Sequence, residues 1–430
     1  MASSGVAPRV EPVMRLDVSA ADLTYGLQSC VLTREAERAT VEQALEDEWA
    51  PDALVALSVR TGFDALLTAL QLPRGAEVLV SAITIPDMIK IIEAHGLRPI
   101  AVDIDFDTLA PCQDLLEKAC TPHSRMLLVS HIFGAICNLD AAAEWAARHR
   151  LFFVDDCAEV YCGPDFRGHP RADASFFSFG SIKTETALGG ALLRVADAKV
   201  RTKVRDLLTH YAVQPLSVFR KRILKYLAYQ ALCTSPAAYA KFVRAVRATH
   251  RDHLDVMLAN SRGFAGMDLF RGIRLRPPVA LLKLLLRRLQ TFDPVRLERR
   301  RKRCGDLARL LASVPGIRVP GLRAEKHLYW LFPVCIDYAD PVQVARFMLA
   351  HGFDATTATT SLMCVDDVVT ERPLAYEAVF EASRSTAAPL MRKILYLPIS
   401  ADTSKAKVSE LATVLQQALA PPASPLQSNL

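Results

Sequence analysis

Between about residues 55 and 195, short apolar runs alternate with stretches of helical periodicity. The apolar runs are Glu77–Val80 (EVLV), Pro99–Val102 (PIAV), Met126–Ser130 (MLLVS) and Leu151–Val154 (LFFV). Between them, helical patterns cover Phe63–Leu70, Met88–Ala94, a stretch near 112–119 and the Ala-rich 140–149. Continuously apolar strands separated by helices predict a mostly parallel sheet covered on both faces. Such sheets place their chemistry in loops at the carboxyl ends of the strands. After about residue 200 the pattern shifts to long helical stretches rich in Arg and Leu. Strand character returns at 328–337 (LYWLFPVCID), followed by helical patterns at 341–351 and 404–419. The expected division is an N-terminal arm at 1–30 and a large domain at 31–262 with a helical insert near 205–250. A connecting helix and small α+β domain then cover 263–420, and 421–430 form a tail.

Composition supports this reading. With 430 residues, 51% of them hydrophobic, the chain can bury a large core and is too long for one ordinary domain. The formal charge of +6 is too small an excess to point to nucleic acid. Ten scattered cysteines include no Cys-x-x-Cys pair and no zinc-site spacing, so they read as reduced thiols, and no metal is expected. The N-terminus lacks the apolar core of a signal peptide, and no apolar run is long enough to span a bilayer. A soluble, cytoplasmic protein is the expectation.

Three segments carry candidate chemistry. Ser58-Val59-Arg60-Thr61-Gly62-Phe63-Asp64 places a Gly turn before a helix, where free backbone N–H groups and the helix dipole suit a phosphate. Many Gly turns start helices with no such role. Asp155-Asp156 follows the run LFFV; a carboxylate there can bind a metal, act as a base, pair with a protonated ring nitrogen, or simply cap a helix. Phe177-Ser178-Phe179-Gly180-Ser181-Ile182-Lys183, followed by Gly189-Gly190, sets a lysine in small polar and Gly-rich sequence. Partial burial of such a lysine favours its free amine, a nucleophile for carbonyls. A solvated surface lysine is the plainer alternative.

In order and spacing the three segments resemble the DegT/DnrJ/StrS family of sugar aminotransferases. That family's S-G-T-A-A-L, E-D-A-A-Q and F-S-F-x-x-x-K motifs are similar to Thr61–Leu66, Asp155–Glu159 and Phe177–Lys183. The resemblance extends through GAEVLVSAIT, VSHIFGAICNLD, GIRLRPPVALL and ILYLPIS, covering about residues 45–420. It implies the α/β transferase fold type I of pyridoxal 5'-phosphate enzymes, with the cofactor held on Lys183 as a Schiff base. By the same resemblance, Lys183 shuttles the proton and Asp156 pairs with the pyridine nitrogen. Ser178 and the backbone of Gly62 and Phe63 hold the phosphate. The implied activity moves an amino group from a donor such as glutamate to a keto group on a sugar-like acceptor, within a homodimer.

The sequence departs from the family at three places. Ile85 stands where members stack an aromatic on the ring, and Glu159 replaces a Gln that contacts the ring's phenolic oxygen. Gly272-Ile273-Arg274 replaces an N-Y-R segment whose Asn reaches the partner's phosphate. Dehydratase relatives carry histidine at the lysine position, so Lys183 favours aminotransfer. The alternatives are another pyridoxal-phosphate outcome or a non-catalytic scaffold homologue. The basic stretches 214–250 and 276–290 are expected to be packed helices. In 214–250, Val218, Ile223, Leu224, Leu227 and Ala228 could share one face among basic residues. Peripheral contact with an anionic membrane is the alternative there, with an amphiphilic or lipid-linked keto substrate as its corollary. Acceptor determinants are expected in loops around 20–30, 158–170 and 355–365, with Phe353–Ser361 bordering the pocket.

Overall fold

The central sheet contains β1 (Ala53–Ala56), β2 (Glu77–Ser81), β3 (Arg98–Val102), β4 (Ser124–Ser130), β5 (Phe152–Asp156), β6 (Ala174–Ser178) and β7 (Ala191–Val195), in the order β1-β7-β6-β5-β4-β2-β3. The computed structural model describes residues 6–13, 15–50, 53–249, 253, 268–357, 360–369 and 385–420; the sequence-predicted tail at 421–430 lies outside them. Pairing is parallel from β6 through β5, β4 and β2 to β3. The exception is β7, antiparallel to both β6 and β1. The chain turns straight back after the lysine loop instead of crossing over by a helix, which reverses β7. Two successive reversals leave β1 pointing the same way as β6. The carboxyl ends of β1, β5 and β6 therefore open on one edge of the sheet.

Residues 20–30, expected as part of an arm, lie in α1 (Ala20–Leu32), opened by a reciprocal capping box between Ser19 and Asp22. Helix α2 (Arg38–Trp49) follows, and α3 (Val59–Leu70) leads out of β1. Helix α3 starts four residues before the expected Phe63. Ser58 is its extended N-cap and accepts a hydrogen bond from the Thr61 N–H, so Thr61-Gly62 is the first turn of helix rather than a loop. The remaining helices of this half are α4 (Pro86–Ala94), α5 (Gln113–Ala119), α6 (Asp140–Arg148) and α7 (Ala198–His210). Each of the four apolar runs read from the sequence, apart from Leu151 at the start of the last, lies in a strand whose residues are almost all buried.

The insert contributes β8 (Ala212–Val213), α8 (Leu216–Cys233) and α9 (Pro236–Arg247). Strand β8 pairs in parallel with β9 (Leu275–Arg276), which leads into α10 (Val279–Gln290). The apolar face expected of this insert is corrected. Phe219, Ile223 and Tyr226 are buried, whereas Val218 and Leu224 are exposed. The period of 3.6 puts 219, 223 and 226 on one stripe, and 218 and 224 fall off it. That stripe meets α1 and α10: a Cβ added at Gly26 would lie 3.1 Å from Ile223 Cδ1 and 3.3 Å from Leu284 Cδ2. Among the described residues, no helix is long and apolar enough to cross a membrane.

A smaller antiparallel sheet of β10 (Ile317–Arg318), β11 (Pro333–Ile336) and β12 (Ile394–Tyr396), in that order, forms the C-terminal half. Helices α11 (Pro294–Leu311), α12 (Pro341–Ala350) and α13 (Lys405–Leu419) bury Leu307, Met348 and Leu411 with it in a separate apolar cluster. Two short ladders stitch this half to the large sheet: Ala135–Ile136 with Lys326–His327, and Ile83–Thr84 with Met363–Cys364. Both lie beside the open strand ends, so the cavity there has walls from both halves of the chain.

Candidate active site

The cavity over the strand ends gathers most of the residues singled out from the sequence. Ile85, Asp156, Glu159, Ser178 and Lys183 all line it. Asp155 and Asp156 end β5, and the pleat sends their side chains to opposite faces. Asp155 is fully buried 2.9 Å from His131 and accepts the His169 N–H. Burial disfavours its charge, but His131 holds its carboxyl below the usual range. Asp155 is thus a closed structural pair beneath the site. Asp156 instead faces the cavity. Burial lifts its pKa to about 6, against smaller downward pulls from the Ala158 N–H and Lys183.

The Lys183 amine lies 3.1 Å from Glu159 Oε1 and 3.9 Å from the centre of the Trp330 ring. Its side chain is only 16% exposed, which disposes of the solvated-lysine alternative. Glu159 is held from its other oxygen by the Phe133 N–H at 2.8 Å. Burial raises the pKa of Glu159, and Lys183 opposes that rise. The acidic residue in the place of an amide is therefore paired with the lysine. Trp330 donates to the Ile182 carbonyl at 2.6 Å, so the small half of the chain pins the lysine loop.

Two residues expected to hold a phosphate sit outside the cavity. Gly62 and Phe63 do not line the cavity. The Gly62 N–H is spent on the Ser58 carbonyl, and the Phe63 ring is fully buried. Gly62 serves packing instead, since a Cβ there would come within 2.1 Å of Leu193 Cδ2 on β7. The helix start that faces the cavity is Ser58-Val59-Arg60, opposite Ser178 on β6. The N–H groups of Val59 and Arg60 occupy the first turn, where no intrahelical acceptor exists. Arg274 lies away from the cavity and clamps buried Asp64 through bonds of 2.9 and 3.0 Å. Ile273 accepts from Thr61 Oγ1 at 2.8 Å, tying this segment to the back of α3.

Sequence reasoning did not single out Trp330, Arg222 and Gln214, which also line the cavity. Trp330 sits inside the strand-like LYWLFPV run, and its rarity among only three tryptophans was the one available signal. Thr360 and Ser361 border the cavity as expected of the Thr-rich run, while Phe353 and Asp354 are buried elsewhere. Ala358 and Thr359 lie outside the described residues. A part-buried amine, a buried carboxylate at a parallel strand end and an open helix N-terminus thus surround one space. That donor set fits a ligand with a carbonyl, a basic ring nitrogen and a phosphate.

This sheet and site define the chain as a fold-type-I α/β transferase scaffold. Residues 20–227 match the model of the DegT/DnrJ/EryC1/StrS aminotransferase family. A UDP-4-amino-4-deoxy-L-arabinose–oxoglutarate aminotransferase of Shewanella sediminis (strain HAW-EB3) is 28% identical over 187 residues, which are 43% of this chain and 48% of that protein. The match thus spans about half the length of that curated relative. The crystal structure of the aminotransferase TlmJ from Streptoalloteichus hindustanus shares the fold, with a TM-score of 0.65 at 18% identity over 95% of this chain and 99% of that one. A 3-amino-5-hydroxybenzoic acid synthase superposes with a TM-score of 0.68 at 17% identity, over 95% of this chain and 99% of that one.

Proposed function

We propose that this chain is a pyridoxal-phosphate-dependent aminotransferase that moves an amino group from a donor such as glutamate to a keto group on a sugar-like acceptor. The observation that carries the reading is the placement of Lys183, Asp156 and the start of α3 around one cavity at the strand ends. When bound, pyridoxal phosphate supplies an electron sink for the bond broken at the substrate's amino carbon. The protein's own groups do the rest. Asp156 offers its buried carboxylate to the ring nitrogen and keeps that nitrogen protonated. Lys183 holds and returns the proton at its Nζ, and Glu159 orients that amine from 3.1 Å. Ser178 and the Ser58–Arg60 turn meet the phosphate.

A sugar acceptor is supported by the family match and by the name of the Shewanella relative. Cavity-lining Thr360 and Ser361 supply hydroxyls suited to a polar acceptor. We infer a cytoplasmic homodimer, since fold-type-I sites are commonly built at two-fold interfaces; sedimentation equilibrium tests that state. The activity is tested by a half-reaction with glutamate. Stoichiometric 2-oxoglutarate supports it, and no 2-oxoglutarate from cofactor-loaded protein would exclude glutamate as the amino donor.

A further inference from the structure

Two polar side chains of the insert line the cavity with, among the described residues, fewer partners than their burial calls for. Gln214 immediately follows β8, and its N–H is anchored to the Arg276 carbonyl at 2.9 Å. The residue is 5% exposed, and among the described residues its Oε1 has no hydrogen-bond partner. Arg222, two turns into α8, is part-buried and donates Nη1 to the Leu188 carbonyl at 2.7 Å. Burial alone pushes its pKa down, and among the described residues no carboxylate pairs with it. A desolvated guanidinium without a counter-charge and a buried amide without a partner are both costly. Such groups are kept where an anion completes them.

Their position specifies which anion. The missing side chain of Gly189 admits Arg222: a Cβ there would lie 3.1 Å from Arg222 Nη1. The next residue, Gly190, donates its N–H to the Leu57 carbonyl at 2.9 Å, directly before the N-cap Ser58. Arg222 therefore adjoins the start of α3. We propose that Gln214 and Arg222 complete the cofactor's phosphate site from within the same chain. The inference rests on the cofactor reading above. A turned Gln214 amide presents Nε2 in place of the orphaned Oε1, and the two orientations are interchangeable in the geometry. The insert thereby supplies side-chain donors where Gly272, which has no side chain, offers none.

The test compares pyridoxal phosphate with pyridoxal, which lacks the phosphate, on the full chain freed of cofactor by dialysis. Arg222→Met and Gln214→Leu should each weaken pyridoxal phosphate about tenfold or more, the scale of one charge-assisted hydrogen bond. Binding of pyridoxal should change less than about twofold, and Arg222→Lys should recover most of the phosphate-dependent affinity. Added inorganic phosphate should compete with pyridoxal phosphate in wild type and less in Arg222→Met. Equal losses for the two compounds would mark a packing role and overturn the proposal. Unchanged affinities with a raised acceptor KM would assign the groups to the substrate and overturn it too. If wild type binds neither compound, the cofactor reading itself fails, an outcome distinct from any difference between variants.

Discussion

Replacing Asp156 by Asn in the cofactor-free protein should stabilise it at neutral pH. Burial lifts the Asp156 pKa to about 6 from an ordinary 3.8. The folded protein therefore holds this proton more tightly than the unfolded chain. Below about pH 4 both states are protonated and the residue exerts no penalty. From about pH 4 to 6 stability falls as pH rises, and above about pH 6 the loss levels off. A rise from 3.8 to about 6 corresponds to a plateau penalty of about 3 kcal/mol. Asn keeps an acceptor for the Ala158 N–H, which reaches Asp156 Oδ1 at 3.1 Å. Urea unfolding of wild type and Asp156→Asn between pH 4 and 8 measures the difference. The gain should approach about 3 kcal/mol near pH 8 and vanish near pH 4. Pyridoxal phosphate should then stabilise wild type more than the variant, because only the carboxylate meets a protonated ring nitrogen with opposite charge. A gain that ignores pH, or a loss at pH 8, would refute the reasoning that this carboxylate is kept at a cost to stability for a cationic ligand.

Other perturbations probe the supporting structure. Gly62→Ala should destabilise by about 1–3 kcal/mol in denaturant unfolding, because the added methyl meets Leu193 between α3 and β7. Tyr239→Phe should cost about 1–3 kcal/mol, since its buried hydroxyl donates to Asp354 Oδ2 at 2.6 Å and Asp354 is itself buried. A change under a few tenths of a kcal/mol would show that the bond contributes little. Ile85→Ala should weaken cofactor binding by about 1–2 kcal/mol, roughly tenfold, by removing aliphatic surface from the cavity wall. Equilibrium titration of the visible absorbance measures that loss, and unchanged affinity would place the ring away from Ile85.

Much of the large sheet was legible because its strands are buried on both faces and read as unbroken apolar runs. LFFV and MLLVS could hardly be anything else between helical periods. The strand Ala191–Val195 was less legible: its reversal depends on the path of the lysine loop, which no local pattern records. Lys183, Asp156, Glu159, Ser178 and Ile85 were found through motif order, and all line one cavity. The start of α3 was placed too late because Thr61-Gly62 has the composition of a loop. Ser58 caps the helix earlier, and Gly62 is required by Leu193 across the interface. Arg222 and Trp330 come from segments distant in sequence from the three motifs. The apolar stripe of α8 was misassigned, because the partners that bury Phe219 and Ile223 lie on α1 and α10.

The central claim is that Lys183 carries the cofactor. Borohydride reduction of the pyridoxal-phosphate-loaded protein, followed by peptide mass mapping, tests it directly. The cofactor's mass should appear on the peptide containing Lys183, and Lys183→Ala should lose both the modified peptide and the visible absorbance band. Attachment at another lysine, or a band that persists in Lys183→Ala, would contradict the account.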